Sequence, residues 1–381
     1  MIYFDNNATT QIAPEVLDAM LPYLGASFGN PSSAYSLGKQ NSMAIAAARE
    51  SVADLIGASD TNEVVFTSCG TESDNWAILG SLEANSERDH IITTRVEHEA
   101  VRKLCQKLET ERFSVTWLDV DQNGELDLEQ LRVALNDRTA LVSVMHANNE
   151  TGVVFPVESI AKIVKECSNA LFHVDGVNAA GKISVDLKDT DIDLYSISGH
   201  KFHAPKGIGA LYVRHSVNLR PLFTGGGQEN SRRPGTEAVH QIAGLGSAAN
   251  LVKDMSAITR IGDLRDRLEN EILDKIQNSH LNGTHDPGKR LPNTSNISFE
   301  NTNGEAILAR LDDLGVCVST GSACNSDNHT ASPVLQAMNI PYSRAMGAIR
   351  FSLGRYNTDA EVNILLTNLP KIIADLRAIG G

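Results

Sequence analysis

The segments Leu171-Phe172-His173-Val174-Asp175 and Leu194-Tyr195-Ser196-Ile197-Ser198-Gly199-His200-Lys201 decide how this chain is read. Each begins as a short β-rich run and ends in a group that carries chemistry. In a parallel sheet covered by helices, ligand sites lie at the carboxyl ends of the strands. Asp175 and Lys201 are therefore expected to emerge from the same edge of one sheet, a carboxylate beside an amine.

Five similar runs flank these two: Glu63-Val64-Val65-Phe66, His90-Ile91-Ile92-Thr93, Val115-Thr116-Trp117-Leu118, Leu141-Val142-Ser143-Val144 and Ala210-Leu211-Tyr212-Val213. Helical patterns at 42–56, 126–135 and 156–167 sit around or between them. This alternation predicts an α/β fold with a mostly parallel central sheet and helices on both faces. Beyond about residue 237 the pattern becomes one long helical region to about 277, then a strand at 294–299, helices at 305–314 and 359–378, and a strand at 349–352. That tail predicts a smaller α+β domain. The expected division is a large domain at 15–255 and a small domain formed by 1–14 with 256–381, the boundary falling inside a helix near residue 256.

At 381 residues, with 41% hydrophobic and 21% charged residues, the composition is that of a folded globular protein and excludes a disordered or fibrous chain. The balance of 33 basic against 47 acidic residues, net −14, repels nucleic-acid backbones and anionic lipid, so neither direct nucleic-acid binding nor membrane association is expected. The opening Met1-Ile2-Tyr3-Phe4-Asp5-Asn6-Asn7 has neither a basic nor a long apolar region, which gives a cytoplasmic expectation. Cys69, Cys105, Cys167, Cys317 and Cys324 form no CxxC pair, so a disulfide framework or a zinc site is not indicated and a reactive thiol is.

A lysine that forms a Schiff base and a carboxylate that keeps a pyridine nitrogen protonated are the two requirements of pyridoxal phosphate. Lys201 and Asp175 supply them, although a single strand-end aspartate often caps a helix and a single loop lysine is often solvated. Thr67-Ser68-Cys69-Gly70-Thr71-Glu72-Ser73 marks a strand-to-helix junction where the amides of Gly70 and Thr71, with the Thr71 hydroxyl, would hold a dianion. An ordinary helix cap reads the same way. His98 follows a strand and would stack on the ring and move protons. Asn149 follows another and would donate to a phenolate oxygen, though asparagine also favours turns. Ser319-Thr320-Gly321-Ser322-Ala323-Cys324 is a run of small residues ending in a thiol, expected to form a mobile loop with accessible sulfur. Cys317, in apolar surroundings, is expected to pack in the core. Arg350 would pair with an amino-acid carboxylate, or form a surface ion pair.

Asp5-Asn6-Asn7-Ala8-Thr9-Thr10, Asn30-Pro31-Ser32-Ser33, Thr71-Glu72-Ser73, Asn148-Asn149-Glu150, His200-Lys201, Arg233-Pro234-Gly235-Thr236, Gly321-Ser322-Ala323-Cys324 and Arg350-Phe351-Ser352-Leu353-Gly354-Arg355 run from end to end of the chain. Together they resemble the NifS/IscS-type cysteine desulfurases, in the class V aminotransferase family of fold-type I pyridoxal-phosphate enzymes. The resemblance implies pyridoxal 5'-phosphate on Lys201, with Asp175 on its pyridinium, His98 on its face, Asn149 and Asn178 at the ring, and Gly70, Thr71, Ser198 and His200 at its phosphate. It implies a homodimer with shared active sites, in which Thr236 reaches the phosphate of the other subunit. Arg350 would hold the L-cysteine carboxylate, and Cys324 would keep the sulfur as a persulfide for an acceptor protein, leaving L-alanine.

Four positions depart from the family pattern: Asn178 for a usual Gln, Tyr35 for His, Cys69 for Gly and Gly199 for Ser or Thr. They suggest a specialised branch serving nucleic-acid sulfur modification, either DNA phosphorothioation or tRNA thiolation, rather than general iron-sulfur cluster assembly. The competing expectations are a selenocysteine lyase or another class V aminotransferase-like enzyme, or a noncatalytic sulfur-carrier platform. Cys324 discriminates the first pair, and the intact Lys201, Asp175 and His98 argue against the last.

Overall fold

The computed structural model describes residues 1–320 and 331–380. Its strands are β1 (Ile2–Tyr3), β2 (Val64–Thr67), β3 (His90–Thr94), β4 (Ser114–Leu118), β5 (Thr139–Met145), β6 (Leu171–Asp175), β7 (Leu194–Ser198), β8 (Gly209–Val213), β9 (Ser279–Leu281), β10 (Thr294–Phe299), β11 (Val316–Cys317) and β12 (Ala348–Ser352). Seven form the central sheet in the order β2-β8-β7-β6-β5-β3-β4. Only β8 runs against its neighbours β2 and β7, so the sheet is mixed but mostly parallel. Every residue of β5 is buried, as are all of β2, β3, β7 and β8, which is why these runs lack polar alternation. β4, at the edge, is mostly half-buried.

Four helices matter most for the site and its surroundings: α1 (Pro14–Leu24), α2 (Ser36–Ile56), α3 (Gly70–Ala84) and α4 (Glu99–Glu109). α2 buries Ile45, Ala48, Val52 and Ile56, a stripe at helical spacing, into the large core with Phe66, Phe172 and Tyr195. A second sheet, in the order β12-β10-β9, is antiparallel throughout. Its core is separate and gathers Ile2, Phe4, Leu268, Phe299, Phe351 and Leu369. The first residues of the chain thus pack with its last third.

The long helical region expected after residue 237 is two helices, Val239–Lys253 and Ser256–Lys275. Asp254 is extended, and its carboxylate accepts the Ser256 N–H at 2.9 Å, starting a new helix. Residue 256 therefore opens a helix rather than lying within one. No helix among the described residues is long and apolar enough to cross a membrane.

Immediately after Asp175 the chain must pass a fully buried aromatic ring. A Cβ placed on Gly176 would lie 2.0 Å from Cε1 and Cζ of Tyr195 and 2.4 Å from its hydroxyl oxygen. That hydroxyl pairs with His146 Nδ1 at 2.8 Å. Gly176→Ala is expected to lower stability by about 1–3 kcal/mol through overpacking, measured by denaturant unfolding. An unchanged unfolding midpoint would mean that Tyr195 has room the packing denies.

Candidate active site

The carboxyl ends of β2, β3, β5, β6 and β7 converge on one cavity of about 350 Å³. From these ends come Cys69, Gly70 and Thr71, then His98, Asn149 and Glu150, Asp175 and Asn178, and finally Ser198, His200 and Lys201. The N-terminal segment adds Asp5, Asn7 and Ala8, and the second sheet adds Arg350 with Ser319 and Thr320.

Asp175 is 4% exposed and accepts the Val177 N–H at 2.9 Å. Burial pushes its carboxyl above the usual range, while His98 and Lys201 pull it back down. His98 caps α4, its Nδ1 accepting the Ala100 N–H at 3.2 Å, so the neutral ring carries its proton on Nε2. Burial lowers the His98 pKa, opposed by the Asp175 charge and reinforced by Lys201. The Lys201 amine donates to the carbonyls of Asn7 at 2.6 Å and Ala8 at 3.1 Å. His200, paired with Thr9 Oγ1 at 3.2 Å, is pushed down to about 4, chiefly by burial and then by Lys201.

At the opposite wall, α3 begins at Gly70 with no side-chain cap from Cys69. The Ser198 hydroxyl is buried without a hydrogen-bond partner among the described residues. A helix N-terminus with its first amides uncapped by a side chain, beside an unspent hydroxyl, is suited to an anion. Glu72 secures this turn by accepting the Ser68 N–H at 2.8 Å and pairing with Arg233 at 2.8 Å.

Ten of the expected residues therefore line one cavity: Gly70, Thr71, His98, Asn149, Asp175, Asn178, Ser198, His200, Lys201 and Arg350. Thr236 does not. It is exposed and lines a different cavity with Gly207, Arg233 and Gln241. Cys324 lies outside the described residues. Arg350 is buried rather than a surface arginine, 6% exposed, with Nη2 donating to Asp5 Oδ1 at 2.7 Å and Nη1 to the Asn149 carbonyl at 3.0 Å. Cys317 is half-buried on β11 rather than set in the core. Burial pushes its thiol up, and the Cys105 thiol is pushed up to about 12 in the same way.

The sequence reading left Asp5, Asn7 and Lys182 without roles. Lys182, 6% exposed, donates to Asn7 Oδ1 at 2.9 Å and Asn178 Oδ1 at 3.1 Å. Burial carries its pKa well below the usual lysine value. Its one sequence signal was its position four residues after Asn178. Two of the unusual residues have local explanations. A Cβ on Gly199 would sit 2.9 Å from Ala204 Cβ and from Leu245 Cδ1, so glycine fits the packing there. Tyr35 is 57% exposed at the start of α2, away from the cavity lining.

A family model described as Aminotransferase class-V matches residues 2–365. A cysteine desulfurase from Trichormus azollae is 53% identical over 381 residues, spanning 100% of this chain and 94% of that protein. A solved structure titled NifS-like protein superposes with a TM-score of 0.92 at 38% identity, covering 98% of this chain and 100% of its own. The crystal structure of DndA from Streptomyces lividans gives a TM-score of 0.76 at 36% identity, with coverages of 91% and 97%. The chain belongs to the aminotransferase class-V family and, within it, to the NifS-type cysteine desulfurases.

Proposed function

We propose that this chain holds pyridoxal 5'-phosphate in the described cavity and transfers the sulfur of L-cysteine to Cys324. The observation that carries the reading is the meeting of Lys201, Asp175, His98 and Arg350 around one space, with the buried, unpartnered Ser198 hydroxyl at its wall. The residues fit the cofactor: an anion cradle at Gly70, Thr71, Ser198 and His200, a carboxylate for a protonated ring nitrogen at Asp175, and an amine for its carbonyl at Lys201. When bound, that cofactor supplies a sink for the electrons left on the substrate α-carbon.

The chain's own groups then divide the work. Arg350 holds the carboxylate of cysteine. Lys201 would hold the cofactor, and its amine is placed to take the α-proton of the substrate. His98, neutral and with its proton on Nε2, carries a proton to or from the substrate. The Cys324 sulfur bonds to the substrate sulfur as the carbon–sulfur bond breaks. A carbon–hydrogen bond replaces it in L-alanine, and Cys324 is left as a persulfide. Thr320, on the cavity wall, precedes Cys324 by four residues, and chain connectivity limits such a span to about 14 Å.

A homodimer completes the reading. Thr236 does not line its own subunit's cavity, and α1 turns Leu17, Leu21 and Leu24 outward, 47%, 53% and 57% exposed, at the spacing of one helix face. Residues 15–255 form the large domain, and 1–14 with 256–381 the small one that delivers Arg350 and Cys324. The protein is cytoplasmic, in keeping with free Cys69, Cys105, Cys167 and Cys317. The persulfide passes to an acceptor protein for iron-sulfur assembly or nucleic-acid sulfur modification. Gly199 and Tyr35, explained by packing and surface position, do not favour the second.

Lys201→Ala is expected to abolish turnover and the borohydride-fixed chromophore together. Cys324→Ser should keep the yellow chromophore yet lose formation of alanine and persulfide from cysteine. Unchanged alanine production by Cys324→Ser, in the presence of reductant, would instead favour a selenocysteine lyase or a simple transaminase.

Because burial holds the His98 imidazolium below its ordinary value, the neutral ring persists below about pH 6.5. The acid limb of kcat/KM that disappears in His98→Gln should therefore lie below that pH. A His98-dependent limb at pH 7 or above would contradict a desolvated ring.

A further inference from the structure

Arg350 is the third residue of β12, fixed on one side by pairing with Asn296 and on the other by two backbone hydrogen bonds to Ser319. Its guanidinium already carries a carboxylate: Nη2 donates to Asp5 Oδ1 at 2.7 Å, with side-chain exposures of 7% and 18%. Nη1 donates to the Asn149 carbonyl, while Nε is buried without a partner. An arginine has five N–H donors. Among the described residues two of these donors are engaged, so the guanidinium has capacity for a second carboxylate.

Asp5 is held by its backbone independently of that ion pair. It bridges Ser352, Asn6 N–H donates to the Ser352 carbonyl at 3.0 Å, and Ala8 N–H donates to the Asp5 carbonyl at 3.0 Å. Its carboxylate can therefore leave Arg350 without moving the chain. Both side chains line the cavity.

We infer that Asp5 is a resident counter-ion that competes with the substrate carboxylate at Arg350 and so sets how weakly amino acids are held. The inference rests on the reading of Arg350 as the carboxylate clamp. A guanidinium left with only the Asn149 carbonyl would seize whatever small carboxylate arrived. Asp5 keeps the arginine neutralised and oriented, and an arriving amino acid must share it or push the resident carboxylate aside. Two carboxylates on one guanidinium repel each other, which weakens binding of substrate and product alike. Such weakening raises KM and speeds departure of alanine. Asp5 is on this account a positioning residue that acts through Arg350.

The test uses the cofactor-loaded protein and measures kcat and KM for L-cysteine together with the inhibition constant of L-alanine. Asp5→Asn should lower both KM and the alanine constant by about fivefold to tenfold, with kcat reduced as release slows. Arg350→Gln, assayed alongside, should raise the alanine constant at least about tenfold. If Arg350→Gln leaves that constant unchanged, the clamp reading itself fails. If Arg350→Gln raises it while Asp5→Asn leaves it unchanged or raised, the clamp stands and the competition is overturned. Should Asp5→Asn not fold, Asp5→Ser removes the same charge and is read the same way. Failure of both to fold would also overturn the inference, since an exchangeable carboxylate is not a structural keystone.

Discussion

Asp175 is a carboxylate at the end of a buried strand, almost sealed from water, and the groups that face it decide its state. Burial alone would drive it to take up a proton. His98 and Lys201 oppose that, and each reaches the cavity from the carboxyl end of a different strand. The neighbouring acids are treated in the opposite way. Glu97 is pushed up to about 8 by burial, and Asp74 is raised by burial and by Asp175 itself. Among the described residues each also has one carboxyl oxygen without a hydrogen-bond partner, though Asp74 Oδ1 lies 3.6 Å from His173 Nε2. Glu97 therefore holds its proton near neutrality.

Strand-end residues were legible because parallel strands must share one functional edge: once Leu171–Asp175 and Leu194–Ser198 were recognised as strands, Asp175 and Lys201 had to be near each other. Gly70, Thr71, His98 and Asn149 followed by the same rule. What the rule cannot reach is anything delivered from outside the sheet. Asp5 and Arg350 are separated by 345 positions, and no local pattern marks one as the partner of the other. Lys182 looked like an ordinary surface lysine, and only its burial between two asparagine side chains removes it from that class. The break at Asp254 was hidden for a different reason: polar and apolar residues keep helical spacing across it, and the new start depends on one capping carboxylate.

The two sheets must stay registered for Arg350 to face the residues of the first, and Asn7 is where that registration is made. Its N–H donates to Ser352 Oγ on β12, its side-chain amide to the Asn149 carbonyl and Thr294 Oγ1, and its Oδ1 accepts from Lys182 and Asn293. Its own carbonyl receives the Lys201 amine. Every polar group of this one residue is thus spent on a different element. A buried polar network of this kind is strongly directional, because a group left unpaired costs more than a satisfied one contributes. A leucine in the same place would fill the space and fix nothing. Asparagine at residue 7 makes the position of Lys201 depend on that of the second sheet, so Lys201 and Arg350 share one frame.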